Sequence, residues 1–469
     1  MKYKVKQSHV FLVIIICLSF FIIFNNLSKS TIVDWDEARR AQNAIELLRT
    51  NDFIVLKYGG EPDLWNLKPP LATWLIALSF KIFGISEFSL RFFSAIMGIG
   101  TVILIFFLGR EIKNNYTGLF AATIVLTIKT FIGFHGARTG DLDIMLTFFM
   151  TLSIFLFYLS QKRKKPKLLI VSFIALALGF LVKMAAILVL PIMLLYLLYT
   201  KKFKKVLKRK ETKKASIIFL IITLPWFILR YLRGKSFFIT KIKFDIIQRF
   251  GQQLEGHTGD WTYYFKEILK VLGRPLTALL VIAIIYTLYQ IIKKKDKQIS
   301  LITIWALIIF TTMTLIQTKI FWYMLPLYPA LAILIAYFIS PDKNQNKITK
   351  ITMVIIFIMI IISPLISIIK HTNEIYINPN EQAIKELKKD LQNYDTIHIY
   401  EEHATQSIYF YINWYSNTFP QKYPNQDKLI INKGEALLIF GEENIKNMQE
   451  HPEFTLINIK GVAGLFEKK

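Results

Sequence analysis

Uncharged apolar blocks alternate with short polar connections along most of this chain. The blocks fall at 10–24, 92–109, 117–134, 142–160, 168–182, 184–199, 216–232, 276–292, 299–316, 320–339 and 350–369. Many are close to the ~20 residues that a helix needs to cross about 30 Å of hydrocarbon. They predict eleven spans, the first of them uncleaved because no small-residue processing site follows it. Lys183 alone interrupts 168–199, and splitting the stretch there keeps the loop pattern regular. The apolar run 71–80 is too short to span. Pro69 and Pro70 suit its first turn and Trp74 suits an interfacial anchor, so it predicts a helix lying at the membrane surface. Beyond His371 the pattern changes, with helical spacing at 381–391 and buried-strand patterns at 396–400 and 436–440, the marks of a small α/β unit.

Composition supports a membrane class. The chain has 469 residues, 54% of them apolar, with 38 Phe and a net charge of +26; mean hydropathy is +0.42. The last 99 residues carry 14 acids and 10 Lys/Arg, or −4, which leaves +30 for the rest. That positive charge is concentrated in alternate connections, at 110–116, 161–167, 200–214, 292–298 and 342–350. Cytoplasmic loops carry such an excess, so the charge is read as orientation and not as nucleic-acid binding. The N-terminus, with Lys2, Lys4 and Lys6, is then cytoplasmic, while residues 28–91, 135–141, 233–275 and the tail lie outside. The expected division is a membrane domain over 1–370, including the outer loop 28–91, and a soluble extracytoplasmic domain over 371–469. The single cysteine, Cys17, lies in the first span and serves packing.

No phosphate-binding glycine loop, dinucleotide turn, Cys-x-x-Cys pattern or serine-nucleophile elbow occurs in the chain. The polar residues that interrupt apolar sequence instead collect on the predicted outer side. Asp34, Asp36 and Glu37 follow the first span. Adjacent carboxylates raise one another's pKa or gather cations, which suits base or metal chemistry; Asp34 or Asp36 also reads as an N-cap for a helix over 38–48. Arg138, Asp141 and Asp143 stand before the fourth span, and Asp141 too reads either as a cap or as an acid that converges with the first cluster. Lys68 follows Trp65-Asn66-Leu67 and precedes the Pro-Pro step. Arg249, Glu255 and His257 share a loop with Trp261, Tyr263 and Tyr264, and Lys319 and Tyr323 occupy a short turn. Each cation alone reads as a snorkelling anchor, and together with Lys183 they describe a pocket for a phosphate.

In this order the motifs resemble the GT-C fold glycosyltransferases that use polyprenyl-phosphate sugars, in the branch of protein O-mannosyltransferases and lipid A aminoarabinose transferases. The resemblance rests on Asp36-Glu37, Lys68-Pro69-Pro70-Leu71, Ser86 through Arg91, Arg138 with Asp141 and Asp143, Gly179 through Lys183, Arg249-Phe250 with His257, and Lys319 through Pro326. It covers roughly residues 8–340. It implies an α-helical polytopic membrane protein of 11–13 spans with a small C-terminal α/β domain, placed in the cytoplasmic membrane. It implies Asp36 as the principal catalytic acid, with Glu37 and Asp141 assisting. Lys68, Arg249, Lys319 and Tyr323 would surround the lipid phosphate, with Arg39 and His257 near it and Arg138 and Lys183 in the same cationic pocket. A divalent cation, if one binds, would take Asp36, Glu37, Asp141 and His257. Arg39-Arg40 stand where relatives often carry an aromatic residue, and Leu67 supplies no metal ligand.

The implied partners are a polyprenyl-phosphate-linked sugar donor, a lipid, glycan or protein acceptor, and the surrounding lipids. A transporter or flippase for a lipid-linked sugar is the competing class. It calls for ionisable residues at span midplanes and for inverted repeats; the sequence offers chiefly Lys129 for the first and no visible repeat.

Overall fold

The computed structural model describes residues 7–64, 66, 68–235, 239–240, 243–342, 344–400, 405–416, 418, 420–423 and 431–469. Lys2, Lys4, Lys6, Trp65 and Leu67, which entered the sequence reading, lie outside them. The chain forms two compact units. One comprises Met1–Asn25, Leu67–Ala72 and Phe93–Asn373, and the other Asn26–Asn66, Thr73–Phe92 and Glu374–Lys469.

The first unit is a helical membrane bundle. Among the described residues eight helices are long and apolar enough to span: Gln7–Phe24, Glu87–Ile112, Leu142–Lys162, Lys210–Leu232, Tyr263–Ile292, Lys297–Leu315, Phe321–Ile339 and Lys347–Asn373. The other three expected spans are helical but shorter or broken. Block 117–134 is the helix Asn115–Leu126 followed by the separate turn Lys129–Ile132. The stretch 168–199 divides at Lys183, whose extended backbone (φ −156°) ends the helix Lys167–Val182 before a 3-10 turn and the helix Val189–Tyr199. The helix Tyr263–Ile292 kinks at Gly273 (φ 69°), two residues before Pro275, where proline withdraws a backbone donor and crowds the preceding turn.

Exposed Val13, Ile14, Phe20 and Phe21 on Gln7–Phe24, and Ile355, Ile356, Met359 and Ile362 on Lys347–Asn373, present the apolar surface that lipid contact requires. Close helix approach uses glycine: a Cβ on Gly118 would stand 2.3 Å from the Phe106 carbonyl oxygen.

The second unit is α/β. Its sheet runs β4-β3-β5-β7-β6, with β3 (Ile397–Tyr400), β4 (Gln421–Tyr423), β5 (Ala436–Phe440), β6 (Phe454–Lys460) and β7 (Ala463–Lys468). β3 is parallel to β4 and β5, and β7 is antiparallel to β5 and β6. The helix Gln406–Ser416 makes the crossover between β3 and β4.

The domain division expected from sequence is corrected here. Apart from 67–72, loop 28–91 does not belong with the bundle but forms one unit with the C-terminal residues. Ala38, Ala41, Ala44 and Ile45 of the helix Asp36–Thr50, and Ile76, Ala77 and Phe80 of the helix Leu71–Phe83, share one core with Ile397, Ile399, Ile408, Phe410, Leu438 and Leu465. Arg49 ties the loop helix to Gln406–Ser416 by donating to the side chain and the carbonyl of Asn413. A hairpin of β1 (Lys57–Tyr58) and β2 (Glu61–Pro62) turns on Gly59 and Gly60, both at positive φ. Buried Glu46 accepts from their two amides at 2.7 and 2.9 Å.

Candidate active site

Four elements of the bundle bring polar groups to one place. The connection before Leu142–Lys162 carries His135, which sits at positive φ and is almost fully buried. Its Nδ1 lies 3.2 Å from Asp143 and 3.7 Å from Asp141. Asp143, in the first turn of that helix, accepts from Lys183 Nζ at 2.6 Å. The Lys183 ammonium also stands 4.1 Å above the Tyr323 ring. Trp322 stacks on the His135 ring at 4.0 Å, with planes 5° apart. Asp141 occupies the N-cap position, yet its side chain makes no cap hydrogen bond. The capping reading of this acid is therefore overturned, and the carboxylate is turned toward His135.

Beside this network lies a cavity of about 330 Å³. Its walls are apolar, from Leu146, Met150, Phe180, Ile187, Ile309, Met313 and others, and its polar lining comes from Lys68, Asp143, Lys183, Arg249, Thr312 and Tyr323. Lys68 enters on the Pro69-Pro70 step, both prolines being buried. Arg249 enters on a loop that runs along 317–319: the amides of Gln317, Thr318 and Lys319 donate to the carbonyls of Phe250, Arg249 and His257. Arg249 also pairs with Glu255 at 2.6 Å. Three cations against one acid give this apolar chamber a positive lining.

Three residues expected in the site are occupied elsewhere, and a fourth, His257, borders the network at Trp322. Arg138 Nη1 donates to the carbonyls of Ile22, Ile23 and Asn25 at 3.2, 2.9 and 2.5 Å, and Nη2 reaches Thr372 O at 3.4 Å. It caps two helix ends, where the carbonyls lack intrahelical partners and favour a cation. Lys319 does the same for Lys297–Leu315, giving Nζ to the carbonyls of Thr314 and Ile316 at 2.6 and 2.5 Å. His257 meets Trp322 edge to face at 6.0 Å and does not line the cavity. Arg39, in the other unit, is held by Asp63 and lies 4.5 Å over the Tyr58 ring.

In the α/β unit Asp36 opens the helix Asp36–Thr50, with its side chain 39% exposed and 3.2 Å from Arg40. Neither Asp34 nor Asp36 is the expected side-chain cap. Trp35 holds the cap position without a cap hydrogen bond, and Asp34 accepts from the Ser407 amide at 2.9 Å. Trp35 adopts φ 71° and ψ −99°, a strained conformation for a bulky residue that persists only when its surroundings impose it.

Glu37 and Arg91 brace the chain just before this turn. Both are buried, and the guanidinium meets the two carboxylate oxygens at 2.7 and 3.0 Å. Arg91 also donates to the carbonyls of Leu27, Ser30 and Thr31, and Glu37 accepts from the Val33 amide. Glu37 therefore fixes the turn that presents Asp36 and is not available as a second catalytic acid or a metal ligand. For a divalent cation, the bundle offers Asp141 and the His135 imidazole, close together, while the neighbouring Asp143 is engaged by Lys183.

His135, the stacking role of Trp322 and the clamping role of Arg91 escaped the sequence reading. His135 had one available signal: it is a histidine in a short predicted outer connection, three residues before Arg138.

The fold defines a class, a multi-pass membrane helical bundle that carries an α/β unit. Residues 67–229 match the family described as dolichyl-phosphate-mannose-protein mannosyltransferase. An uncharacterised protein of Aquifex aeolicus is 31% identical over 338 residues, covering 71% of this chain and 74% of the relative. The undecaprenyl phosphate-alpha-4-amino-4-deoxy-L-arabinose arabinosyl transferase of Pectobacterium carotovorum is 28% identical over 316 residues, 65% of this chain. The alignment takes in only about half of that transferase, 54% of its length. The crystal structure of ArnT from Cupriavidus metallidurans bound to undecaprenyl phosphate superposes with a TM-score of 0.73 over 98% of both chains at 14% identity, which establishes a shared fold. The chain belongs to the GT-C fold polyprenyl-phosphate-sugar glycosyltransferases.

Proposed function

We propose that this protein moves a sugar from a polyprenyl-phosphate donor to a hydroxyl of a lipid, glycan or protein acceptor on the outer face of the cytoplasmic membrane, with inversion at the anomeric carbon. The observation that carries the reading is the apolar cavity with Lys68, Lys183 and Arg249 in its lining. An isoprenoid phosphate is an anion on a hydrocarbon tail, and this chamber offers both complements within one helical bundle.

In the proposed reaction Asp36 takes the proton from the acceptor hydroxyl as its oxygen attacks the anomeric carbon. The bond from that carbon to the phosphate oxygen breaks, and the carrier leaves as polyprenyl phosphate. Lys68, Lys183 and Arg249 stabilise the charge that grows on the leaving phosphate, an effect strengthened where water is scarce. Asp143 holds Lys183, and Tyr323 lies under its ammonium, so the cation is placed before substrate arrives. A divalent cation, if the reaction uses one, would be held by Asp141 and His135 and would add charge neutralisation of the same kind.

The test is transfer of radiolabel from synthetic polyprenyl-phosphate sugars by the full chain in lipid, with membrane extract as acceptor. Asp36→Asn is expected to lower the rate about 10²–10⁴-fold while leaving the fold intact. Near wild-type transfer by a well-expressed Asp36→Asn protein would refute the assignment of the base. Intact donor crossing the bilayer, with no labelled product, would replace the transferase reading with that of a flippase.

A further inference from the structure

The bundle has a second cavity, also about 330 Å³, at the opposite ends of its helices from the His135 network. It is lined by Gln7, Arg110, Lys113, Asn114, Asn115, Tyr116, Pro341, Asp342 and Lys350. These residues come from the start of Gln7–Phe24, the junction between Glu87–Ile112 and Asn115–Leu126, and the connection into Lys347–Asn373. We propose that this cavity binds the phosphodiester headgroup of an anionic phospholipid, in the leaflet that the loop charges make cytoplasmic.

The walls are fixed independently of any ligand. Lys113 Nζ donates to the carbonyls of Tyr337 and Ser340 at 3.0 and 2.6 Å and pairs with Asp342 at 3.0 Å. The Asn114 side chain donates to Pro341 O at 2.7 Å and accepts from the Thr117 amide. Gln7 donates to the Tyr116 hydroxyl at 2.9 Å, and Phe11 packs edge to face on the Tyr116 ring.

Arg110 is different. Its guanidinium leans on the Phe107 ring at 4.8 Å, and among the described residues it has no hydrogen-bond or ion-pair partner. A half-buried guanidinium whose donors are open to a ligand beside Lys113 and Lys350, with Asp342 the acid in the lining, favours an anion, and phosphate oxygens match its fork.

The surroundings choose a lipid over a free ion. The helices that wall the cavity expose Val10, Val13 and Ile14 on one side and Ile348 and Ile351 on the other. Acyl chains attached to a phosphate held by Arg110 would lie along these side chains, gaining apolar burial that inorganic phosphate lacks. A lipid seated there would join the first and last spans of the bundle through a single headgroup.

The experiment compares thermal unfolding of the full chain in nanodiscs of phosphatidylcholine alone and of phosphatidylcholine with one part in three phosphatidylglycerol. The expected result is a midpoint higher by about 2–5 °C in the anionic discs. Most of that gain should be lost in Arg110→Gln and kept in Lys208→Gln, which removes an exposed charge outside the cavity. Arg110→Lys keeps the charge without the fork and should retain part of the gain, which provides a readout if Arg110→Gln folds poorly. Equal midpoints in the two discs would overturn the proposal, as would equal losses in the Arg110 and Lys208 variants. Millimolar inorganic phosphate reproducing the whole gain in neutral discs would show a free-anion site and overturn the lipid assignment.

Discussion

Two ion pairs, one in each unit, show how the same chemistry can be spent in opposite ways. Arg91 and Glu37 in the α/β unit are saturated, with the guanidinium divided among a carboxylate and three carbonyls and the carboxylate also taking a backbone amide. Lys183 and Asp143 in the bundle make one strong bond to each other and also line a cavity. A charge whose hydrogen bonds are all used by the chain defines a backbone shape. A charge held at one point, with space beside it, remains available to a substrate.

The contrast is broken most severely at Arg91. Replacing it with alanine leaves Glu37 buried and uncompensated and frees the carbonyls of residues 27–31. That should cost about 3–5 kcal/mol, read as a lower unfolding midpoint and poor recovery of folded protein. Transfer should fall with it, because the turn at Trp35 (φ 71°) then loses the brace on the residues before it and Asp36 is held less firmly. An Arg91→Ala protein that unfolds at the wild-type temperature would remove the distinction between the two pairs.

Glu381, also in the α/β unit, is the exception that sharpens the comparison. It is 1% exposed, and burial pushes its carboxyl up to about 7 despite hydrogen bonds from Ser407 and Thr31. Nearby Lys385 is drawn off to Glu87. For a carboxyl raised in the folded state, the folded chain holds more protons than the unfolded one between about pH 4.5 and 7. The contribution is therefore fully present below about pH 4.5 and is lost as pH rises to about 7, at most roughly 3 kcal/mol. Glu381→Gln should be less sensitive to pH over that window than wild type, as measured by denaturant unfolding at several pH values. Parallel pH profiles for the two proteins would show that the carboxyl titrates normally.

At Lys183 the prediction shifts from stability to activity. Lys183→Gln keeps length and a donor but removes the charge from the cavity. Loss of one charge-assisted hydrogen bond is worth about 1.5–3 kcal/mol, so kcat/KM for the donor should fall roughly 10–10²-fold. The unfolding midpoint should drop less than for Arg91→Ala. The reverse ranking, a large loss of stability with normal transfer, would make Lys183 a structural partner of Asp143 and nothing more.

The sequence made some of this legible and hid the rest for a physical reason. Apolar length located the spans, and the lone Lys183 marked a real helix break, because hydropathy and a charge in hydrocarbon are local signals. The cluster around Asp36 and the pair Asp141 and Asp143 stood out in the same way. The error was to treat every cation of the expected outer connections as equivalent. Arg138 and Lys319 satisfy helix-end carbonyls, some of them more than 100 residues away in sequence, and no local pattern separates a carbonyl cap from a phosphate ligand. The packing of loop 26–66 with the C-terminal residues was equally hidden, since its small apolar face at Ala38, Ala41, Ala44 and Ile45 does not say which partner covers it.

His135 supplies the finest test, since its imidazole faces both Asp141 and Asp143 of the bundle. Its ring is fixed by Asp143 on one edge and by the flat stack of Trp322 on one face, so its Nδ1 is aimed by packing as much as by hydrogen bonding. Trp322→Leu keeps an apolar side chain but loses the parallel ring, a contact worth about 0.5–1.5 kcal/mol. If that contact only fills space, stability should fall by this amount and transfer should follow it. If instead the stack orients His135 between Asp141 and Asp143, transfer should fall further than stability does. Trp322→Phe, which restores a stacking face, should recover most of the difference, and failure of that recovery would assign Trp322 to packing alone.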